Sequence, residues 1–346
     1  MKSINNASLL KRNTFGIDQK CDLLIEYDST SDAQQTIQHL DISKPLLILG
    51  GGSNLLLTQD FHGTVVTPTK RFEISVTKDE LHTDNVLLRC WAGSEFDKVV
   101  DYAVSHHYYG LENLSLIPGE CGASAVQNIG AYGVEIKDVI EKIEAVRLND
   151  GKEVVILPSD CRYAYRQSRF KHEWKNQFLI TYVTYRLSKT FLPHLDYGNI
   201  RKTLEAKGID EKTLTAEQLR HTIIDIRRKK LPDPAETGNA GSFFMNPIVS
   251  KDVFEHLHTQ YPDMPHYMVS SSDGETLYKI PAGWMIDQCG WKGKSLGPAG
   301  VHEHQALVLV NRGGAKGNDI VRLMKAIQKD VRSKFGLEIQ PEVNVI

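Results

Sequence analysis

The stretch Leu116–Gly133, LIPGECGASAVQNIGAYG, constrains this 346-residue chain more than any other. It is dominated by glycine and small residues and follows neither a helical nor a strand period. Such a segment lets backbone come close to a neighbouring element or to a ligand. Two more glycine-rich elements flank it in the sequence. Gly50-Gly51-Gly52-Ser53-Asn54 follows the apolar run Leu46–Leu49, which reads as a buried strand, and Gly238-Asn239-Ala240-Gly241-Ser242 precedes Phe243-Phe244. Consecutive N–H groups in glycine loops turn into one concavity and bind anions. A plain tight turn explains the Gly50 loop equally well. Leu55 stands where a dinucleotide fingerprint needs glycine, and Gln288 stands where a Walker loop ending in Gly293-Lys294-Ser295 needs one. Two backbone-rich surfaces in one chain suggest an extended cofactor such as a dinucleotide; close packing of elements is the alternative.

Lys plus Arg is 41 and Asp plus Glu is 43, which argues against a generally basic nucleic-acid surface while leaving room for local basic pockets, and 41% hydrophobic residues suffice for a core without staples. No apolar run approaches the roughly 18 residues that span a bilayer. The start MKSINNASLLKRNTF has no signal-peptide apolar region. Five scattered cysteines without C-x-x-C predict neither a disulfide framework nor a zinc site. His302-Glu303-His304 puts two imidazoles on one face of an expected strand but lacks a third donor, so no metal is expected. These features predict a reduced, cytoplasmic, multidomain protein.

Periodicity predicts helices over 33–40, 95–105, 200–207, 250–259 and 319–335, the last with Gly336 as its cap. Thr215-Ala-Glu-Gln218 has the form of a capping box opening a helix that runs to Lys230. Strand patterning covers about 65–90, 139–186 and 337–346. Tyr163-Ala-Tyr165-Arg166-Gln-Ser168-Arg169 reads as a strand or strand end, with Arg166 offering a bidentate fork to carboxylate or phosphate, or else a surface ladder. Gly241-Ser242 would hold a hydroxyl on fixed backbone; no G-x-S-x-G surrounds it, which disfavours a hydrolase nucleophile.

Taken together and in order, Asn13–Gly16, Gly50–Asn54, Ile117–Gly119, Gln127–Gly133, Tyr165-Arg166, Leu231–Pro234, Gly238–Phe244, Ala282–Trp284, Ile286–Gln288 and Pro341–Val343 resemble the UDP-N-acetylenolpyruvoylglucosamine reductase family of peptidoglycan synthesis. Tyr197 in Tyr-Gly-Asn is similar to the type I subgroup, in which a tyrosine loop closes over substrate. The resemblance implies an α+β chain: a two-domain FAD-binding fold of the vanillyl-alcohol-oxidase type and a C-terminal substrate-binding domain. It implies FAD-binding parts at 1–68, joined by about 336–346, and at 69–212, with a substrate domain at 213–335. It implies noncovalent FAD, NADPH as co-substrate, a UDP-sugar substrate, a monomer and no membrane insertion.

By the same resemblance Ser242 supplies a proton, Arg166 holds the substrate carboxylate, and a protonated Glu342 supports the developing charge. Tyr165, Tyr197, Lys230, Asn246, Tyr267, Lys292 and Gln305 are implied to bind substrate, all but Tyr165 lining the UDP-sugar or nicotinamide-nucleotide site. Gly50, Gly51, Gly52, Ser53, Asn54, Pro118, Gly119, Gly122, Ala123, Ser124, Gln127, Asn128, Ile129, Gly130, Gly133 and Gly241 are implied to bind FAD. Glu120 and Cys121 depart from the pattern, and Glu120 suits a pyrophosphate only if it points to solvent. A flavin oxidase of the same fold, a flavin sensor, and a flavin-free sugar-nucleotide binder are the competing readings.

Overall fold

Alternating β-branched and aromatic residues between Lys20 and Leu187 build two sheets. The computed structural model describes residues 1–41, 43–270 and 274–346. They form two discontinuous units: Met1–Ala7, Lys20–Gly52 and Phe61–Arg228, and Ser8–Gln19, Ser53–Asp60 and Lys229–Ile346.

In the first unit the four-stranded sheet has the order Lys2–Ser8, Lys20–Tyr27, Phe61–Pro68, Leu46–Ile48. Lys20–Tyr27 and Leu46–Ile48 both run parallel to Phe61–Pro68, so each needs a crossover, and the helix Thr30–Thr36 supplies one. Its N-cap Ser29 accepts the Asp32 N–H at 3.0 Å. The second sheet is antiparallel, in the order Glu153–Ile156, Ile140–Arg147, Phe178–Ser188, Asn85–Trp91, Ile74–Lys78. Ile25, Tyr27, Ala33, Val66, Trp91, Val146 and Leu179 form one buried cluster. Its polar tips are satisfied: Tyr27 Oη donates to the Ile180 carbonyl at 2.8 Å and Trp91 Nε1 to Thr69 at 2.9 Å. The helix Phe96–Ser105 packs Val99, Val100 and Ala103 into a further core with Leu88, Ile143 and Tyr185. Thr215 and Gln218 make both bonds of the expected capping box, at 3.0 and 3.2 Å, opening Ala216–Lys230.

In the second unit Asn239–Ser242, Val308–Asn311, Ala299–Val301 and Ser295–Leu296 form an antiparallel sheet. The helix Gly317–Phe335 buries Ile320, Leu323, Ile327 and Val331 in that unit's core. It starts two residues earlier than the sequence predicts, because Asp319 accepts the Lys316 N–H at 2.8 Å, and Gly336 ends it at φ +68°. A three-stranded sheet, Ile248–Val249, Thr276–Lys279, Tyr267–Ser270, lies in the same unit.

Some elements differ from expectation. Leu46–Ile48 is half-buried, because it is an edge strand. The long final strand is reduced to Asn344–Val345, paired with Leu55–Leu56. Ala299–Val301 ends before His302, whose Nδ1 accepts the His304 N–H at 3.3 Å in a turn. Among the described residues no three metal-ligating side chains converge, the five cysteines are free thiols, and no helix is long and apolar enough to cross a membrane.

Candidate active site

The first unit brings the first two glycine-rich segments together. A Cβ on Gly50 would lie 3.0 Å from Ala123 Cβ, and one on Gly51 3.3 Å from Gly119 Cα. Gly51 thus lies against the backbone of Gly119 and Gly50 against the Ala123 methyl, where a larger residue would fill the space. A main-chain cradle of this kind fits the diphosphate of FAD, since amides bind anions without bulk. Other members of the implied FAD set serve packing at their side chains. Gly122 admits Ala92, its N–H donating to the Ala92 carbonyl at 2.9 Å, and a Cβ there would stand 3.0 Å from Ala92 Cβ. Ser124 Oγ donates to the Cys121 carbonyl at 2.7 Å and meets Tyr185 Oη at 2.9 Å. Pro118 lies just before this region, Gln127 ends the helix Cys121–Gln127, and the Ile129 N–H donates to Ser124. Glu120 does not point to solvent, against the expectation: it is 5% exposed, with Oε2 3.5 Å from the Cβ position of Gly50 and Oε1 3.7 Å from that of Gly51, so a buried carboxylate stands against these glycines and the diphosphate fit does not extend to this position. Its extended backbone ahead of the helix turns the side chain inward.

Arg166 sits in a tight turn rather than in a strand. Ala164 and Gln167 exchange N–H···O bonds of 3.1 and 2.9 Å, and Arg166 takes φ +57°. Side chains clamp this turn to the end of the preceding helix. Tyr163 Oη donates to Ala125 at 2.9 Å, and Ser168 Oγ to Val126 at 2.6 Å. Asn128, itself left-handed at φ 43°, donates from Nδ2 to Ala164 at 2.9 Å and to Glu135 Oε2 at 3.1 Å. Arg166 Nη2 donates to Gly130 at 2.8 Å, and its guanidinium lies 5.6 Å from the Tyr165 ring centre.

Arg227 is a residue the sequence reading missed. Burial holds its guanidinium below the ordinary arginine range; Tyr132 opposes that shift, and the like charge of Arg166 adds to it. The Asp97 carboxylate, like Tyr132, opposes the shift. The available signal was helical spacing: Arg227 precedes Lys230 by three positions on one helix. Burial likewise raises the Tyr132 phenol. Tyr132 and Gly133 take φ 49° and 84°, and Tyr197 packs there, its Cβ 3.3 Å from the Cβ position of Gly133.

The second unit brings Ser242 and Glu342 together. Gly241, at φ +68°, turns the strand so that Ser242 pairs with Val308. Asn239 fixes that turn: its Oδ1 accepts the Gly241 N–H at 2.9 Å while Nδ2 donates to Thr237 and Pro232. The Asn13–Gly16 segment backs it, since the Asn239 N–H donates to Thr14 at 3.0 Å. The C-terminal segment runs alongside. Met245 N–H donates to Gln340, and Glu342 N–H donates to Phe243 at 2.8 Å. Glu342 thus lies one residue across from Ser242. Asn54 Nδ2 donates to the Glu342 carbonyl at 3.2 Å, and Ser53 precedes it in the same unit.

The remaining implied substrate residues of this unit are dispersed around other elements. Asn246 Oδ1 accepts the Ala282 N–H at 2.9 Å, and Gln305 Oε1 accepts the Leu307 N–H at 3.3 Å. Lys292 reaches Asp287 at 3.4 Å, Tyr267 is exposed with Lys279 Nζ 5.6 Å from its ring, and Lys230 is exposed at a helix end.

Two family models match the chain: "FAD binding domain" over residues 21–156, and "UDP-N-acetylenolpyruvoylglucosamine reductase, C-terminal domain" over residues 233–346. With the backbone cradle, they define an FAD-dependent oxidoreductase of α+β architecture. A UDP-N-acetylenolpyruvoylglucosamine reductase of Bacteroides fragilis (strain YCH46) is 51% identical over 341 residues, covering 98% of each chain. One from Porphyromonas gingivalis is 46% identical over 339 residues, covering 98% of this chain and 97% of its own. The chain belongs to the UDP-N-acetylenolpyruvoylglucosamine reductase family. The crystal structure of that reductase from Thermus caldophilus shares the fold, with a TM-score of 0.65 over 99% of this chain and 98% of that one at 20% identity.

Proposed function

We infer that this chain uses FAD and NADPH to reduce UDP-N-acetyl-3-O-(1-carboxyvinyl)-glucosamine to UDP-N-acetylmuramate, with Ser242, Arg166 and Glu342 as its catalytic residues. Bound FAD supplies the redox relay between NADPH and C3 of the enol ether. The chain's own residues must then manage negative charge at C2 and its carboxylate, and bring a proton to C2. Arg166 binds the carboxylate with a rigid bidentate fork and stabilises that charge. Ser242 Oγ delivers the proton to C2. A hydroxyl is a weak acid, so this suits a strongly basic centre. Glu342 in its acid form donates a hydrogen bond as charge builds. Lys230 and Lys292 pair with the nucleotide phosphates, and Tyr165, Tyr197, Asn246, Tyr267 and Gln305 orient the sugar nucleotide.

The observation that supports this reading is the 2.8 Å bond from the Glu342 N–H to the Phe243 carbonyl, which brings the main chain of Glu342 next to the residue that follows Ser242 and its glycine turn. We retain the division 1–68 joined by about 336–346, 69–212 and 213–335, supported by the four-stranded sheet in the first range, the pairing of Asn344–Val345 with Leu55–Leu56, the five-stranded sheet in the second and the two sheets in the third. A cytoplasmic monomer is part of this reading; the five free thiols fit a reducing compartment. An anaerobic titration tests the activity. NADPH should bleach the flavin and the enolpyruvyl sugar nucleotide should restore its colour. Flavin that bleaches but is not reoxidised by this substrate refutes the assignment.

A further inference from the structure

We propose that Asn113 is a positioning residue for substrate binding: its buried carboxamide ties the stem of the Tyr197 loop to the turn at Tyr132. The functional consequence rests on the reading of Tyr197 as a sugar-nucleotide contact.

Asn113 is 2% exposed. Its Nδ2 donates to the Tyr132 carbonyl at 2.9 Å and to the His194 carbonyl at 2.9 Å, across 19 and 81 residues of sequence. Both amide protons are thereby committed. Its own short turn holds together without that side chain. The Glu112 carboxylate accepts the Gly110 N–H at 2.9 and 3.1 Å, and Ser115 Oγ donates to the Glu112 carbonyl at 2.6 Å. The contribution of the Asn113 side chain therefore lies in the two segments it joins.

Those segments meet a second time at the loop tip. The Cβ position of Gly133 is 3.3 Å from Tyr197 Cβ, and that of Gly198 is 3.6 Å from the Tyr132 ring. Leu195 and Ile200 anchor the loop ends in an apolar cluster, while residues 196–199 are exposed. Asn113 thus fixes His194, just outside the anchored end, and Tyr132, on which the tip rests. Releasing the stem lets the ring sample more positions. That entropy is then lost on binding substrate rather than in the chemical step.

The test uses Asn113→Leu, which keeps bulk and removes both donors. Leaving two carbonyls unpaired should raise KM for the enolpyruvyl sugar nucleotide by about tenfold. The limiting rate and the rate of flavin bleaching by NADPH should stay within about twofold, because the lost bonds do not act on the chemical step. In flavin-free and flavin-loaded protein alike, backbone amide exchange over 194–199 should quicken by about tenfold with no change over 121–127. Unchanged exchange at the loop, or a uniform rise throughout, overturns the proposal. So does a fall in the limiting rate with KM unmoved. If Asn113→Leu does not fold, Asn113→Ser, small and polar, carries the same readouts. Tyr197→Ala is the control. Should it leave KM unmoved, the reading of the loop fails, while the exchange measurement still decides whether Asn113 anchors the stem.

Discussion

Asn128→Asp removes the hydrogen-bond donors that hold the Arg166 turn while keeping shape. The side chain is fully buried, donates to Ala164 and to Glu135, and accepts the Lys137 N–H at 3.3 Å. Its backbone is left-handed, a conformation that aspartate tolerates as asparagine does, so backbone strain does not enter the comparison. Two lost hydrogen bonds cost about 1 kcal/mol each. The new carboxylate would also be buried facing the Glu135 carboxylate, which adds roughly 1–2 kcal/mol when both are charged.

The total at pH 8 is therefore about 3–4 kcal/mol, or on the order of 6–16 °C in the melting temperature of a unit of about 200 residues. Burial and Glu135 push the introduced carboxyl above its unfolded value. Stability is retained at low pH, where the acid form can donate one bond, and lost as pH rises through the folded value. The variant should thus lie closer to wild type at pH 5 than at pH 8, measured as the difference in urea midpoints. A destabilisation below about 0.5 kcal/mol, equal at both pH values, would refute the described hydrogen bonds.

Gly51→Asp places a side chain and a negative charge against Gly119, so the purified variant should lose flavin; full stoichiometric absorbance would contradict the cradle. Asp97→Ala should destabilise by about 2–3 kcal/mol, because it removes the charged 2.7 Å partner of the 7%-exposed Arg220 and leaves it only the 3.2 Å bond to Asp101; a urea midpoint within about 0.2 M of wild type would contradict this. Burial raises the Cys21 and Cys161 thiols to about 11 and holds the Cys90 thiol well above its ordinary value, so thiol titration at pH 8 should find these three unreactive in native protein and reactive in denaturant.

Legibility differed by the range of the interaction. The capping box at Thr215 and the glycine cap at 336 are local chemistry, and both were readable. The glycine-rich segments were readable as places of close approach. Which glycines face a ligand and which admit a neighbour was not, because Gly122 is explained only by Ala92 across the fold. Tyr163 and Tyr165 alternate like a strand, yet Arg166 turns because Tyr163, Ser168 and Asn128 hold the neighbouring backbone to a helix end. Asn113 carries no sequence signal at all: its partners are carbonyls, which every residue has. Glu342 looks like a surface acid until the chain end is seen beside Phe243.

The direct test of the central claim separates the two half-reactions in Ser242→Ala by anaerobic stopped-flow. Flavin bleaching by NADPH should proceed at the wild-type rate, and recovery with the enolpyruvyl sugar nucleotide should slow by about 10²-fold or more, the usual contribution of a positioned proton donor. Equal slowing of both steps, or no slowing of recovery, would contradict the assignment of the proton to Ser242.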